Sequence, residues 1–197
     1  MNKRVIGVFV GSLRRDSFSR KVARSLSDIL VAMADAFEVK PIELSGLCLF
    51  DQDFDDDGRT PVAWSEFRRE VKSLDGVVFV TPEYNRSMPA LLKNALDIGS
   101  RPPGQNVWND KPGAIIGVSP GRLGALASVQ ALKQPASFVG IHLMPQPEAY
   151  VSNAASLFDA TGRLTDEATR RLLQNFAAAF TAWVERFKTR DEAFDRS

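Results

Sequence analysis

Three short runs, Val5-Ile6-Gly7-Val8-Phe9-Val10, Val77-Val78-Phe79-Val80 and Ala114-Ile115-Ile116-Gly117-Val118, are apolar at consecutive positions rather than at alternate ones. A strand with one face in water alternates apolar and polar side chains, so strands that are apolar on both faces are covered on both sides. Parallel sheets meet that condition, because each connection between parallel strands crosses a face of the sheet, usually as a helix. Whatever else this chain does, it must place helices above and below these runs.

The intervening segments supply those helices. From Ser17 to about Met33, Phe18, Val22, Leu26, Ile29, Leu30 and Met33 recur at spacings of three and four, leaving Arg20, Lys21, Arg24 and Asp28 on the wet face. Asp16 or Ser17 can cap the start. Phe37 to Leu44 alternates with Glu38, Lys40 and Glu43 and reads as a half-polar edge strand. An acidic loop from Asp51 to Pro61 leads to a helix carrying Trp64, Phe67, Val71 and Leu74, which Asp75-Gly76 closes. Pro89 opens a helix running toward Gly99, a polar loop covers Arg101 to Lys111, and Ala125 to Phe138 reads as a further helix. Ile141 to Met144 with Tyr150-Val151 supplies a last strand interrupted by Pro145 and Pro147, and Leu164 to about Lys188 closes as an amphipathic helix. Five strands separated by helices, joined by right-handed crossovers, predict an α/β fold: a three-layer α/β/α sandwich around a five-stranded parallel sheet, as a single domain over residues 1–197.

Composition removes several classes of function. The chain has 197 residues with 25 Lys plus Arg against 24 Asp plus Glu, a formal charge of +1, so it lacks the bulk field of a nucleic-acid or anionic-membrane binder. With one cysteine, Cys48, and one histidine, His142, it can form neither a disulfide framework nor a Cys/His metal cluster, and no metal site is expected. Asp53, Asp55, Asp57 and Gly58 copy the first half of a calcium loop, but Trp64 stands where its bidentate glutamate belongs and Pro61 falls inside. Cys48 beside Leu47 and Leu49 reads as a buried or semi-buried thiol rather than a nucleophile, His142 as structural, and Arg68-Arg69 and Arg170-Arg171 as solvated helix faces. The apolar run after Lys3-Arg4 is too short for a signal peptide, and the expectation is a soluble cytoplasmic protein.

In a doubly wound sheet, ligands sit beyond the carboxyl ends of the strands, where three loops meet. Gly11 to Ser19 places three hydroxyls and two guanidinium groups between a buried strand and a helix start, a composition suited to a phosphate. Neither GxGxxG nor GxxxxGK[ST] occurs there, so a monophosphate end fits better than a dinucleotide or a P-loop nucleotide. Thr81 to Pro89 carries aromatic, amide and hydroxyl groups between two prolines and can present them to a flat heterocycle. Ser119 to Gly124 contributes glycines that let a planar ring approach the backbone.

Taken in order, Gly11-Ser12-Leu13-Arg14 with Ser17 and Ser19, Pro82-Glu83-Tyr84-Asn85-Arg86-Ser87 with Pro89, Leu92-Lys93-Asn94-Ala95 with Asp97, and Ser119-Pro120-Gly121 with Gly124 resemble the NADPH-dependent FMN reductase family. That family is flavodoxin-like and includes bacterial quinone and chromate reductases; the likeness runs from the first strand to about Val151. It implies FMN, with the phosphate held by Ser12, Arg14, Ser17, Ser19 and the backbone around Phe18. Pro82, Glu83, Tyr84 and Asn85 would line the isoalloxazine, and Ser119 with Gly121 would border its other side. It further implies NADPH or NADH as hydride donor, a quinone, flavin or other small acceptor in a ping-pong cycle, and a homodimer or homotetramer. Arg86 is the candidate for the NADPH phosphate or an anionic acceptor. Ser19 stands where relatives often carry asparagine, and Ala131 and Lys133 stand where a histidine and an arginine are common. The competing readings are a flavodoxin-like electron carrier, which the +1 charge disfavours, and a non-catalytic flavin-binding regulatory protein.

Overall fold

In a computed structural model that describes residues 3–33 and 36–194, with side chains as far as Phe187, the strand-helix alternation closes as a layered sandwich. The elements are β1 (Arg4–Val10), α1 (Phe18–Met33), β2 (Phe37–Ile42), α2 (Gln52–Asp56), α3 (Val62–Lys72), β3 (Gly76–Thr81), α4 (Ala90–Gly99), β4 (Pro112–Val118), α5 (Leu126–Phe138), β5 (His142–Leu143), β6 (Ala149–Val151) and α6 (Glu167–Phe194). Met1 and Asn2, on which the reading of the start partly rests, lie outside the described residues.

All sheet pairings are parallel, in the order β2-β1-β3-β4-β5, with β6 also on β4. This is the flavodoxin-like order, whose switch point lies between β1 and β3. Register puts Val10 beside Val80 and Thr81 beside Gly117, so β1, β3 and β4 end at one level. The loops 11–17, 82–89 and 119–125 therefore leave from a single edge.

The consecutive apolar runs divide between two faces. Ile6, Val8, Val78, Val80, Ile116 and Val118 point toward α1 and α6, where Val22, Leu26, Leu30, Leu173, Phe176 and Phe180 meet them. Phe9, Val77, Phe79 and Ile115 point toward α3, α4 and α5, against Trp64, Phe67, Leu92, Leu96 and Leu132. The second face also holds Trp108, which the sequence places in a polar loop. Trp108 is fully buried, packs at 5.4 Å from the Phe9 ring and 5.9 Å from the Phe79 ring, and donates its indole N–H to Leu96 O at 3.1 Å.

Further expectations need correction. The last strand is two strands, with β5 on Pro112 and Gly113 of β4 and β6 on Ile116 to Val118, because Pro145 and Pro147 between them cannot donate to the ladder. The acidic loop contains α2, capped by Asp51, whose carboxylate accepts from Asp53 N at 3.1 Å. Arg68 is not solvated: its guanidinium grips Asp55 at 2.6 and 2.8 Å and gives Nε–H to Ile98 O at 2.9 Å, with the Asp55 side chain only 4% exposed. Cys48 is exposed rather than buried. Asn94 explains this: its amide accepts from Phe50 N at 2.8 Å and donates to Cys48 O at 2.9 Å, fixing segment 47–50 by its backbone and leaving the thiol outside. His142 serves structure, with its ring stacked on Phe187 at 4.9 Å and 3.1 Å from Asp110.

Two predictions follow from this packing. Trp108→Ala should destabilise the fold by about 3–5 kcal/mol in chemical denaturation, through loss of buried area and the cavity left between Phe9 and Phe79. Hydrogen bonds from Arg68, then from Thr60, hold the Asp55 carboxyl below its ordinary range. A depressed folded value contributes stability that is present above the unfolded value of about 4 and is lost as pH falls through the folded one. Asp55→Asn should therefore cost about 1–3 kcal/mol at neutral pH and flatten the acid limb of the stability profile, measured by urea melts between neutral pH and pH about 3.

Candidate functional site

The first loop is built around buried hydroxyls. Gly11 N donates to Val80 O at 2.9 Å, and a Cβ at Gly11 would stand 2.9 Å from Leu92 Cδ1 and 3.0 Å from Pro82 Cδ, so the chain turns directly against the second loop. Ser12, Ser17 and Ser19 are 3%, 3% and 2% exposed, whereas Leu13, Arg14 and Arg15 are exposed. Ser17, not Asp16, caps α1: its Oγ accepts from Arg20 N at 3.3 Å and its carbonyl from Lys21 N at 3.1 Å. Asp16 instead pairs with Lys21 at 2.6 Å, and that hydrogen bond lowers its carboxyl pKa. The N–H groups of Phe18 and Ser19, in the first turn, have no acceptor among the described residues. Such unpaired N–H groups at the positive end of a helix, surrounded by hydroxyls, make an anion site.

In the second loop, Tyr84 and Ser87 exchange backbone hydrogen bonds at 3.1 and 3.0 Å. The residues between them, Asn85 and Arg86, have φ of 52° and 63°, as a tight two-residue turn requires. Asparagine tolerates that conformation, whereas arginine does so with strain. Tyr84 reaches back across the edge, its hydroxyl 3.3 Å from Ser12 Oγ, so the first and second loops touch beside the buried serines. Pro82 is half-buried, and Tyr84, Asn85 and Arg86 are exposed. The Oε2 of Glu83 accepts from Ala127 N of α5 at 3.0 Å, so its backbone borders the edge while its carboxylate is committed to a helix start. Arg86 lies 3.4 Å from Glu83 Oε1 but is 76% exposed, which leaves its guanidinium accessible.

The third loop lies flat against the sheet end. A Cβ at Gly117 would come within 2.2 Å of Gly124 O, and one at Gly124 within 2.8 Å of Tyr150, so both approaches require glycine. Ser119 N donates to Val151 O at 3.0 Å, Asn153 N to Gly121 O at 3.2 Å, and Gly121 N to Ser119 Oγ at 3.0 Å. Leu13, Tyr84 and Leu123, one on each of the three loops, and Leu126, which opens α5, are all exposed. An apolar rim around a polar cradle is the usual composition of a small-molecule site.

The structure thus brings every predicted site residue to one edge of the sheet. It adds Thr81 and Ser128, buried hydroxyls 2.7 Å apart that tie β3 to α5; no motif in the sequence signals that pairing. Lys133 pairs with Glu148. Among the described residues no group of three His, Cys, Asp or Glu is placed to hold a metal. The donors present fit FMN: buried hydroxyls and unpaired helix N–H groups suit a phosphate, and the strip between the second and third loops, largely backbone on the glycine-bearing side, suits a flat ring.

Comparison with known proteins agrees with that donor set. The NADPH-dependent FMN reductase family matches residues 5–156. A quinone reductase of Pseudomonas putida is 45% identical over 180 residues, covering 91% of this chain and 94% of that protein. A 2-hydroxy-1,4-benzoquinone reductase of Burkholderia is 45% identical over 179 residues, covering 91% and 95%. The solved structure of FerB, a flavoenzyme NAD(P)H:(acceptor) oxidoreductase from Paracoccus denitrificans, superposes with a TM-score of 0.85 at 37% identity, covering 93% of this chain and 98% of that one. The sheet order, the serine-lined helix start and these matches together establish that the chain belongs to the NADPH-dependent FMN reductase family.

Proposed function

We propose that this protein is an FMN-dependent NAD(P)H oxidoreductase that passes hydride from NADPH or NADH to a quinone or a similar small acceptor by a ping-pong cycle. The observation that carries the reading is the buried trio Ser12, Ser17 and Ser19 around the unpaired N–H groups that open α1. Bound FMN supplies the hydride-accepting and hydride-donating chemistry. The chain's own residues bind and orient. Ser12, Ser17 and Ser19 would offer hydroxyls to the phosphate, the N–H groups of Phe18 and Ser19 would add the helix field, and the exposed Arg14 would supply a guanidinium. Pro82, Tyr84, Asn85 and the backbone of Glu83 line one side of the ring, and Ser119 and Gly121 the other. The chemistry needs no protein nucleophile, in keeping with His142 and Cys48 lying outside these loops.

The rim of Leu13, Tyr84, Leu123 and Leu126 favours a planar, apolar acceptor of the quinone type. Arg86, exposed at the tip of the second loop, is assigned to the NADPH phosphate or an anionic acceptor. No helix among the described residues is long and apolar enough to cross a membrane, and the working location is the cytoplasm. Residues 1–197 act as one flavodoxin-like domain that assembles as a homodimer or homotetramer. Exposed Leu49, Val62 and Phe138 supply apolar surface for that assembly.

Purified protein should show flavin absorbance, and parallel double-reciprocal plots should appear when NADPH or NADH is varied against a benzoquinone; a colourless protein that takes up no FMN would sink the reading. Arg14→Ala or Ser17→Ala should weaken FMN binding by about 1–3 kcal/mol each, read by fluorescence titration of apoprotein, while riboflavin, which lacks the phosphate, binds as in the wild type. Arg86→Ala should raise KM for NADPH more than for NADH. An equal rise for both would remove the assignment.

A further inference from the structure

We propose that Glu83 is a positioning residue that joins the two walls of the flavin slot by capping α5 across the site, and so controls how the ring is held rather than how the phosphate is held. This rests on the reading that FMN lies between the second and third loops.

Helix α5 has no cap of its own. Its N-cap residue is Ala125, at φ 67° and ψ 33°, whose methyl group cannot accept a hydrogen bond. The N–H groups of a first helical turn need an outside acceptor when a protein wall covers them. Leu126 N turns back to Leu123 O at 3.0 Å, and Ala127 N is met by Glu83 Oε2 at 3.0 Å, from a residue 44 positions earlier in the chain. A carboxylate at a helix start interacts favourably with the helix dipole as well as with the N–H it accepts. The Glu83 side chain is 14% exposed, so water competes little for the contact.

The neighbouring residues repeat the connection. Ser128, one position on in α5, bonds Thr81 Oγ1 at 2.7 Å, and both residues are fully buried. Positions 81 and 83 at the end of β3 thus hold positions 127 and 128 at the start of α5, and two adjacent anchors fix the separation of the elements and also their rotation. The third loop runs directly into α5 and is bound on its far side to the chain after β6, through Ser119, Gly121 and Asn153. The second loop is a closed turn of its own between Tyr84 and Ser87. Among the side-chain hydrogen bonds of the described residues, loss of the Glu83 contact would leave the Thr81–Ser128 hydroxyl pair to join the end of β3 to the start of α5. Glu83 Oε1 also faces Arg86 Nη1 at 3.4 Å, so the same carboxylate steadies the strained tip of the turn. Ser12 and Ser17 stand in the β1–α1 loop and Ser19 in the first turn of α1; Tyr84 touches Ser12 from the second loop, but none of the bonds of Glu83 reaches these serines.

The test compares FMN and riboflavin binding to apoprotein of the wild type, Glu83→Ala and Glu83→Gln, together with amide hydrogen exchange of each apoprotein. If Glu83 sets the ring slot, Glu83→Ala should weaken FMN and riboflavin by the same factor, tenfold or more. Exchange at Ala127 and through residues 119–126 should rise at least tenfold, while exchange in α1 stays unchanged. Glu83→Gln keeps an oxygen that can accept from Ala127 N and should restore affinity to within about threefold, and exchange protection with it. A Glu83→Ala protein that is folded and binds both flavins as the wild type does would overturn the proposal, as would a Glu83→Gln protein as weak as Glu83→Ala. Should Glu83→Ala not fold, Glu83→Asp, whose carboxylate is one methylene shorter and falls short of Ala127 N, should weaken both flavins equally and raise exchange at Ala127; raised exchange with unchanged flavin binding would again overturn it. Failure of the wild type to take up FMN would instead strike the functional reading, and exchange at Ala127 would still report whether Glu83 caps the helix.

Discussion

The parallel pairing of β1, β3 and β4 is the constraint on which the rest depends. Backbone hydrogen bonds fix Val10 beside Val80 and Thr81 beside Gly117, and the side chains of these strands enter two separate cores. A slip of one residue in either pairing would exchange the two faces and set Phe9 and Phe79 against α1 and α6, where smaller side chains of these strands now sit. Because the register is held so firmly, the three strands end together, and the loops that follow meet at one edge. The site is a consequence of that alignment.

What occupies the edge is a set of polar groups that the fold leaves partly unpaired. The serine hydroxyls at the start of α1 are shielded from bulk water yet stand beside N–H groups with no acceptor among the described residues. An anion with several oxygens would satisfy them together. The second loop is held by a bond to α5, and the third by bonds to β6 and the chain that follows it. Gly117 and Gly124 allow the third loop to lie against the end of β4, and Thr81 with Glu83 tie the second loop to α5. The phosphate cradle and the flat slot proposed for FMN thus belong to different elements, one to the β1–α1 turn and the other spanning β3 to α5.

Much of this was legible in the chain. Unbroken apolar runs announced strands covered on both faces, the three-and-four spacing from Phe18 to Met33 announced α1, and the ordered motifs around Ser12, Tyr84 and Gly121 announced the family and the three loops. The misreadings share one cause. Trp108 stands among polar residues, yet it enters the core because Gly99 leaves a space that its indole fills. Arg68 looks like a surface residue until α2 brings Asp55 to it, and Cys48 looks buried until Asn94 is seen to hold the backbone around it. Glu83 sits inside a binding motif, but its carboxylate serves a helix that begins more than forty positions later. In each case local composition could not name the distant partner.

The sequence by itself determined the periodicities, and with them the sheet, its helical layers, the edge where the three loops meet and a β1–α1 turn whose composition suits a phosphate. These follow from short-range rules: side-chain alternation, helical spacing and the fixed polarity of a helix start. Tertiary structure alone decided which polar side chains were already engaged and which were left available to a ligand. That depends on contacts between residues far apart in the chain, and a hydrogen bond forms or fails over a few tenths of an ångström, a precision that only the packed arrangement of the elements supplies.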